Sequence, residues 1–171
     1  MLPEVETYVA RLRDLRQKTL AALEGMNQSA LNWKPLRQDT NSPFVLATHL
    51  IGSERHWIQR VVGQRTITRD RDAEFRARGD SLDALRAEYG ETARVSEEIL
   101  ARLTDAELNA SRVTPNYGTV SARWSVLHLI EHYSEHVGQI QLTRQMWEAQ
   151  AQKHVLSEAK DKKAKGKSKR R

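Results

Sequence analysis

Residues 121–150, SARWSVLHLIEHYSEHVGQIQLTRQMWEAQ, carry apolar and aromatic side chains at three- and four-residue steps. Leu129, His132, Tyr133, His136, Ile140, Thr143 and Trp147 fall on one stripe, so the stretch predicts a long helix starting near Ser121 and burying that face. The same period recurs upstream. Pro3 to Glu24 repeats it with Val5, Tyr8, Leu12, Leu15, Thr19 and Leu23, ending at Gly25. A second helix opens at Asn41-Ser42-Pro43, a cap followed by proline, and runs through Val62 to Gly63. Its inward stripe is Leu46, His49, Leu50, Ser53, Trp57 and Val61. Ser81 is expected to cap a third helix reaching Leu103, with Leu82, Leu85, Tyr89, Ile99 and Leu103 on one side. Strand-like alternation is absent, and Pro115-Asn116-Tyr117-Gly118 reads as a loop. Four amphipathic helices make the chain all-α, a four-helix bundle over residues 1–150. The joins are about 17 residues or longer, which calls for a crossover connection rather than simple up-and-down order.

The remaining composition narrows the function. The chain has 171 residues and no cysteine, which excludes disulfides, thiolate nucleophiles and sulfur-ligated metal. A bound metal must be held by nitrogen and oxygen. The net charge of +6 is unevenly spread. Residues 151–171 hold nine Lys or Arg against two acidic residues, whereas 1–150 hold 19 basic and 20 acidic. The end of the chain is therefore expected to be a disordered, Lys/Arg-rich tail, solubilising in itself and otherwise able to contact nucleic acid by salt-sensitive attraction. The longest apolar run, Phe44 to Ile51, is far too short to span a membrane, and the acidic N-terminal residues do not resemble a signal peptide. A cytoplasmic location is expected.

His49, His132 and His136 lie on stripes that face the core. Residues four apart on a helix are separated by about 40° of rotation and 6 Å of rise, so His132 and His136 project together. His49, from the second helix, can supply a third nitrogen. His128 is a reserve ligand in place of His136. The competing reading is three separate core histidines, each bonded to a neighbouring oxygen. An unpartnered buried imidazole costs roughly 1–3 kcal/mol, while metal ligation supplies on the order of 10 kcal/mol, so a shared ion explains all three at once.

Among the other polar residues, Glu54, His56, Glu131 and Gln139 are candidate orienting or acid/base groups, with Glu54 and Glu131 expected chiefly as solvated helix charges. Arg65, Arg69, Arg71, Arg76 and Arg78 form a basic connection balanced by Asp70, Asp72, Glu74 and Asp80. It is expected as a mobile loop, with reception of a carboxylate-bearing ligand as the alternative. Trp57 and Trp124 are expected to fill core.

LNWKP at 31–35, TNSPFVLATHLIGSERHW at 40–57 and HLIEHYSEHVGQI at 128–140 together resemble the DinB superfamily of DinB/YfiT-like metalloenzymes, over about residues 3–150. The resemblance implies a crossover four-helix bundle, often dimeric, that holds a divalent metal such as zinc, nickel or iron by three histidines. Here these are His49, His132 and His136, the last followed by Gly138-Gln139. It also implies a small-molecule substrate, since characterised relatives include bacillithiol and mycothiol S-transferases and a mycothiol-dependent maleylpyruvate isomerase. The expected function is metal-assisted transfer of a low-molecular-weight thiol to an electrophile, or hydrolysis of a small substrate, with His56, His128 and Gln139 as catalytic candidates. The alternatives are a metal-binding protein without catalysis, and a stress-associated protein acting through its basic tail. Three protein nitrogens leave an open coordination position, the pattern of catalytic sites.

Overall fold

In a computed structural model of the chain, the backbone is described for residues 1–168 and side chains for residues 1–153. Of the basic tail expected at 151–171, the backbone is described as a continuation of the last helix as far as Ser168, while the side chains beyond residue 153 and all of residues 169–171 lie outside the described residues. Helix α1 spans Pro3–Leu23 and a single turn, α2, spans Gln28–Leu31. Helix α3, Pro43–Glu54, continues without a break into a π-helical segment, Arg55–Val62. Short α4 (Arg71–Arg76) precedes α5 (Asp83–Leu100), and short α6 (Asp105–Asn109) precedes strands β1 (Ser111–Thr114) and β2 (Gly118–Ser121). The last element, α7, is Ala122–Ser168.

The ends of the long helices follow their local chemistry. Ser42 Oγ accepts from Val45 N at 3.3 Å with Pro43 in the first turn, and Ser121 Oγ accepts from Trp124 N at 3.0 Å at the start of α7. Both satisfy amides that have no partner inside the helix. Past α1 the chain reverses at Gly25, φ +74°, a left-handed conformation that suits glycine. One expected cap is corrected. Helix α5 starts at Asp83, its cap position is Leu82, and Ser81 Oγ only reaches Asp83 N at 3.4 Å.

Helix α1 packs against α5 and α7, and α3 with its π segment packs against the same two. The consecutive rods α1 and α3 thus stand largely across the bundle from each other, which is the crossover expected from the long joins. Leu12, Leu15, Leu50, Ile58, Leu100, Leu129, Tyr133 and Ile140 fill the interior with essentially no exposure, and this burial is the main stabilising term. Across the middle runs a polar spine. Arg16 on α1 donates from Nε and Nη2 to Glu54 on α3 at 3.0 and 2.7 Å, and from Nη1 to Glu97 on α5 at 2.9 Å. Tyr133 on α7 donates to Glu54 Oε2 at 2.8 Å. Glu54, expected as a solvated charge, is wholly buried. The correction has a physical cause: a carboxyl group can be buried when cation and hydroxyl donors replace its water, and Arg16 and Tyr133 do so. Burial opposes the Arg16 charge, yet Glu54 hydrogen bonding holds its pKa above the ordinary guanidinium value.

Three further expectations change. The strand-free reading fails at one place, where β1 and β2 form an antiparallel hairpin with Arg112 opposite Val120 and Val113 opposite Thr119. Gly118, φ +65°, closes it. The connection after Gly63 contains α4, capped by Asp70 Oδ1 accepting from Ala73 N at 2.8 Å, and it lays Glu74 and Phe75 against the second rod. The π segment also departs from the expected α-helix. In its last turn the Val61 carbonyl, which has no donor within the helix, accepts from Arg112 Nε at 3.1 Å, which ties the hairpin to the bundle.

Candidate metal centre

His49 sits mid-way along α3, and His132 and His136 sit one turn apart on the neighbouring α7. One ring nitrogen from each lies within 4.8 Å of the other two. Ring centroids are 5.1 Å apart for His49 and His132, 5.3 Å for His49 and His136, and 4.4 Å for His132 and His136. The structure therefore brings together the three rings singled out by the stripes.

Surrounding groups fix which nitrogens face inward. Glu74 Oε2 is 2.9 Å from His49 Nδ1. Burial pushes the Glu74 carboxyl up, but Arg69, hydrogen-bonded to both its oxygens at 2.6 and 2.8 Å, and then His49 hold it below the usual carboxylate range. An ionised carboxylate only accepts, so His49 Nδ1–H donates to Glu74, and Nε2 is the nitrogen turned toward His132. Gln139 does the same for His136. Its Nε2 donates to Glu135 Oε1 at 3.3 Å, which turns Oε1 toward His136 Nδ1 at 2.7 Å. His136 Nε2 is then a lone pair, and it is buried without any partner. His132 Nε2 is 3.1 Å from His49 Nε2 and 3.2 Å from Ser53 Oγ. Two facing imidazole nitrogens at that distance need a hydrogen or a cation between them. Burial, then His136, His49, His128 and Arg69, push the His132 imidazolium down to about 3, so the ring stays neutral, the form that ligates metal. An orphaned buried nitrogen, two oriented neighbours and a neutral third ring fit a divalent ion held by nitrogen.

Glu74 and Arg69 were placed by sequence on a charge-balanced loop. Instead Glu74 is buried and fixed to the site. Its approach depends on Gly52, because a methyl at that position would overlap the Glu74 carboxylate. The other arginines of the connection disperse. Arg71 lies over the Phe75 ring at 4.8 Å, Arg65 lines a separate recess with His56 and Arg60, and Arg78 lines a recess with Trp33 and Trp147.

His128 is not among the three grouped nitrogens. It stacks on Trp124 at 4.8 Å with the rings 8° from parallel and touches Trp57 at 4.8 Å, so it joins an aromatic cluster that Tyr117 completes from the hairpin. His56 packs edge-on against Trp57, and burial, then Arg69 and Arg60, lower its pKa. Trp57 is buried and Trp124 partly so, and the two are 5.7 Å apart, as packing residues should be. Glu131 is exposed.

The sequence profile of the mycothiol-S-transferase family matches residues 7–149. No curated protein matches the chain. Among solved structures, the fold is similar to the crystal structure of a DinB-like protein from Bacillus subtilis, with a TM-score of 0.63 and 16% identity, covering 82% of this chain and 92% of that one.

Proposed function

Because this chain belongs to the mycothiol-S-transferase family, within the DinB-like proteins, we propose that it is a metal-dependent transferase joining a low-molecular-weight thiol to a small electrophile. His49, His132 and His136 would hold the metal. The observation that carries this reading is the buried, unpartnered His136 Nε2, aimed into the same space as the facing His49 and His132 nitrogens.

When bound, a divalent ion with an open position stabilises the deprotonated form of a thiol, giving thiolate near neutral pH. The residues of the chain prepare that state. Glu74 and Gln139 hold the Nδ1 protons of His49 and His136, so that neither ring can rotate or change tautomer without losing a hydrogen bond. Arg69 keeps Glu74 ionised, and Gly52 gives it room. The apolar groove beside His136, formed with Leu46, Leu142 and Met146, offers an apolar surface next to the three nitrogens on which a small electrophile would rest.

The test combines two readouts on His132→Ala. Elemental analysis of protein purified without an affinity tag should give about one divalent ion per chain for the wild type and background for the variant. Thiol transfer against an electrophile panel should fall with it. Full metal content in the variant overturns the site. Metal loading with no rate above that of free metal leaves a metal-binding protein and overturns the transferase.

A further inference from the structure

The groove beside His136 does not end there. It has a volume of about 500 Å³ and lies between residues 35–41 and α7, with Leu36, Leu46, Leu142 and Met146 as its apolar lining. Leu36, Leu142 and Met146 are 62%, 57% and 43% exposed, so one side of the groove is a contiguous apolar surface that water covers at a cost. Across Pro35 and Leu36, which line both, is a second recess of about 740 Å³. Its character is different. Trp33 and Trp147 form one wall, their rings 5.8 Å apart, and Lys34, Arg37 and Arg78 supply three positive charges without an acidic residue.

These three cations are held in company. Asn32 Nδ2 donates to the Gly79 carbonyl at 2.6 Å and Asn32 Oδ1 accepts from Gly79 N at 3.1 Å, clasping the segment that carries Lys34 and Arg37 to the one that carries Arg78. Gly79 itself is pressed against the Phe44 ring with no space for a side chain. Among the described residues none of the three cations makes an ion pair or a side-chain hydrogen bond, whereas Arg16, Arg69, Arg86, Arg94 and Arg123 all do. Like charges gathered by a rigid clasp and left unmatched favour an anion between them. The groove's one acidic residue, Asp39, stands on the other side of Leu36 with a left-handed backbone, φ +61°. The Thr40 hydroxyl, which accepts from Leu36 N at 3.1 Å and donates to Leu36 O at 2.9 Å, fixes that loop. Asp39 repels an anion at its own end and so orients a two-part ligand.

Resting on the transferase reading, we propose that the electrophile taken by this site is an amphipathic organic anion. Its apolar part lies in the groove beside His136, and its acidic group reaches Lys34, Arg37 and Arg78 alongside the wall formed by the two tryptophans.

The experiment is isothermal titration of the full chain with hexanoate, octanoate and decanoate, each paired with its neutral amide, and with tryptophan fluorescence followed in parallel. Each carboxylate should bind at least about tenfold more tightly than its amide, the increment of a charge-assisted contact, and should alter tryptophan emission. Arg37→Ala/Arg78→Ala, two exposed positions, should abolish that preference while the amide still binds. Leu142→Asp should weaken both ligands. Equal affinity for acid and amide, a preference that survives the double substitution, or no binding by any member overturns the proposal. His132→Ala separates the two readings: if it removes the metal but leaves octanoate binding intact, the recess stands on its own. Octanoate binding lost only with the arginines, alongside unaffected metal content, places the acidic subsite away from the ion.

Discussion

Gly52 and Glu74 meet so closely that the helix backbone, not a side chain, forms the floor under the Glu74 carboxylate. That contact lets a carboxylate from a short surface helix reach His49 Nδ1 at 2.9 Å. Gly52→Ala should push Glu74 off His49 and weaken divalent metal affinity by about 10–100-fold, the usual cost of losing an orienting carboxylate. Competition with a chelator measures it, with circular dichroism as the check on folding. Unchanged affinity in a folded variant would show that His49 needs no such support.

The His128 ring lies on Trp124, one turn from His132 but outside the group of facing nitrogens. His128→Ala should therefore retain the wild-type metal stoichiometry, in contrast to His132→Ala. A proportionate loss of metal from both variants in elemental analysis would move His128 into the ligand set.

Acid should destabilise the metal-free protein through His132. Its imidazolium is held down to about 3 in the fold, by burial first and then by the neighbouring histidines and Arg69, against about 6.5 in an unfolded chain. Between those values the unfolded state binds the proton and the folded state does not. The stabilisation is therefore complete above pH 6.5 and is lost progressively as the pH falls from there toward 3. Thermal unfolding of chelator-treated protein across pH 7.5 to 4 should show that slope, and His132→Ala should make it shallower, leaving the part that His56, His128 and His136 contribute through their own lowered values. Equal slopes in the two proteins would refute the assignment.

Glu54 is wholly buried between Arg16 and Tyr133. Glu54→Ala should lower stability by about 3–5 kcal/mol in urea unfolding, because Arg16 is left with a buried charge that Glu97 only partly offsets. Arg16→Met/Glu54→Leu should recover most of that loss, since an apolar pair of similar size suffers no desolvation. A double substitution as damaging as the single one would mean that the ion pair itself is indispensable.

What the sequence disclosed and what it concealed divide along a physical line. The four rods and the inward facing of His49, His132 and His136 were legible because helical period fixes which side chains share a face, and the crossover was legible in the length of the joins. Glu74 and Arg69 were not, since nothing local distinguishes a carboxylate on a polar connection that returns to the core from one that stays in water. The proximity of Gly52 to the site was the available trace, a glycine inside an otherwise apolar helix. Glu54 was misread for the same reason: its partner Arg16 is 38 positions away, and charged residues are seldom buried. Two four-residue strands, with Val113 85% exposed, left no alternation to detect. Gln139 was noticed as part of a motif, but its use, accepting from His136 Nδ1, needed coordinates.

The crossover described for α1 and α3 places on adjacent rods two histidines that stand 83 positions apart in the chain. His132 and His136 alone make half a chelate, and a ribosome-bound chain ending short of them has only His49 to offer. An ion caught at this point would therefore be taken up by an assembled bundle after synthesis of α7, and its hold would fasten the second rod to the last. Loading and unloading would then report on the integrity of the tertiary structure, in the way that a clasp reports whether a case is shut.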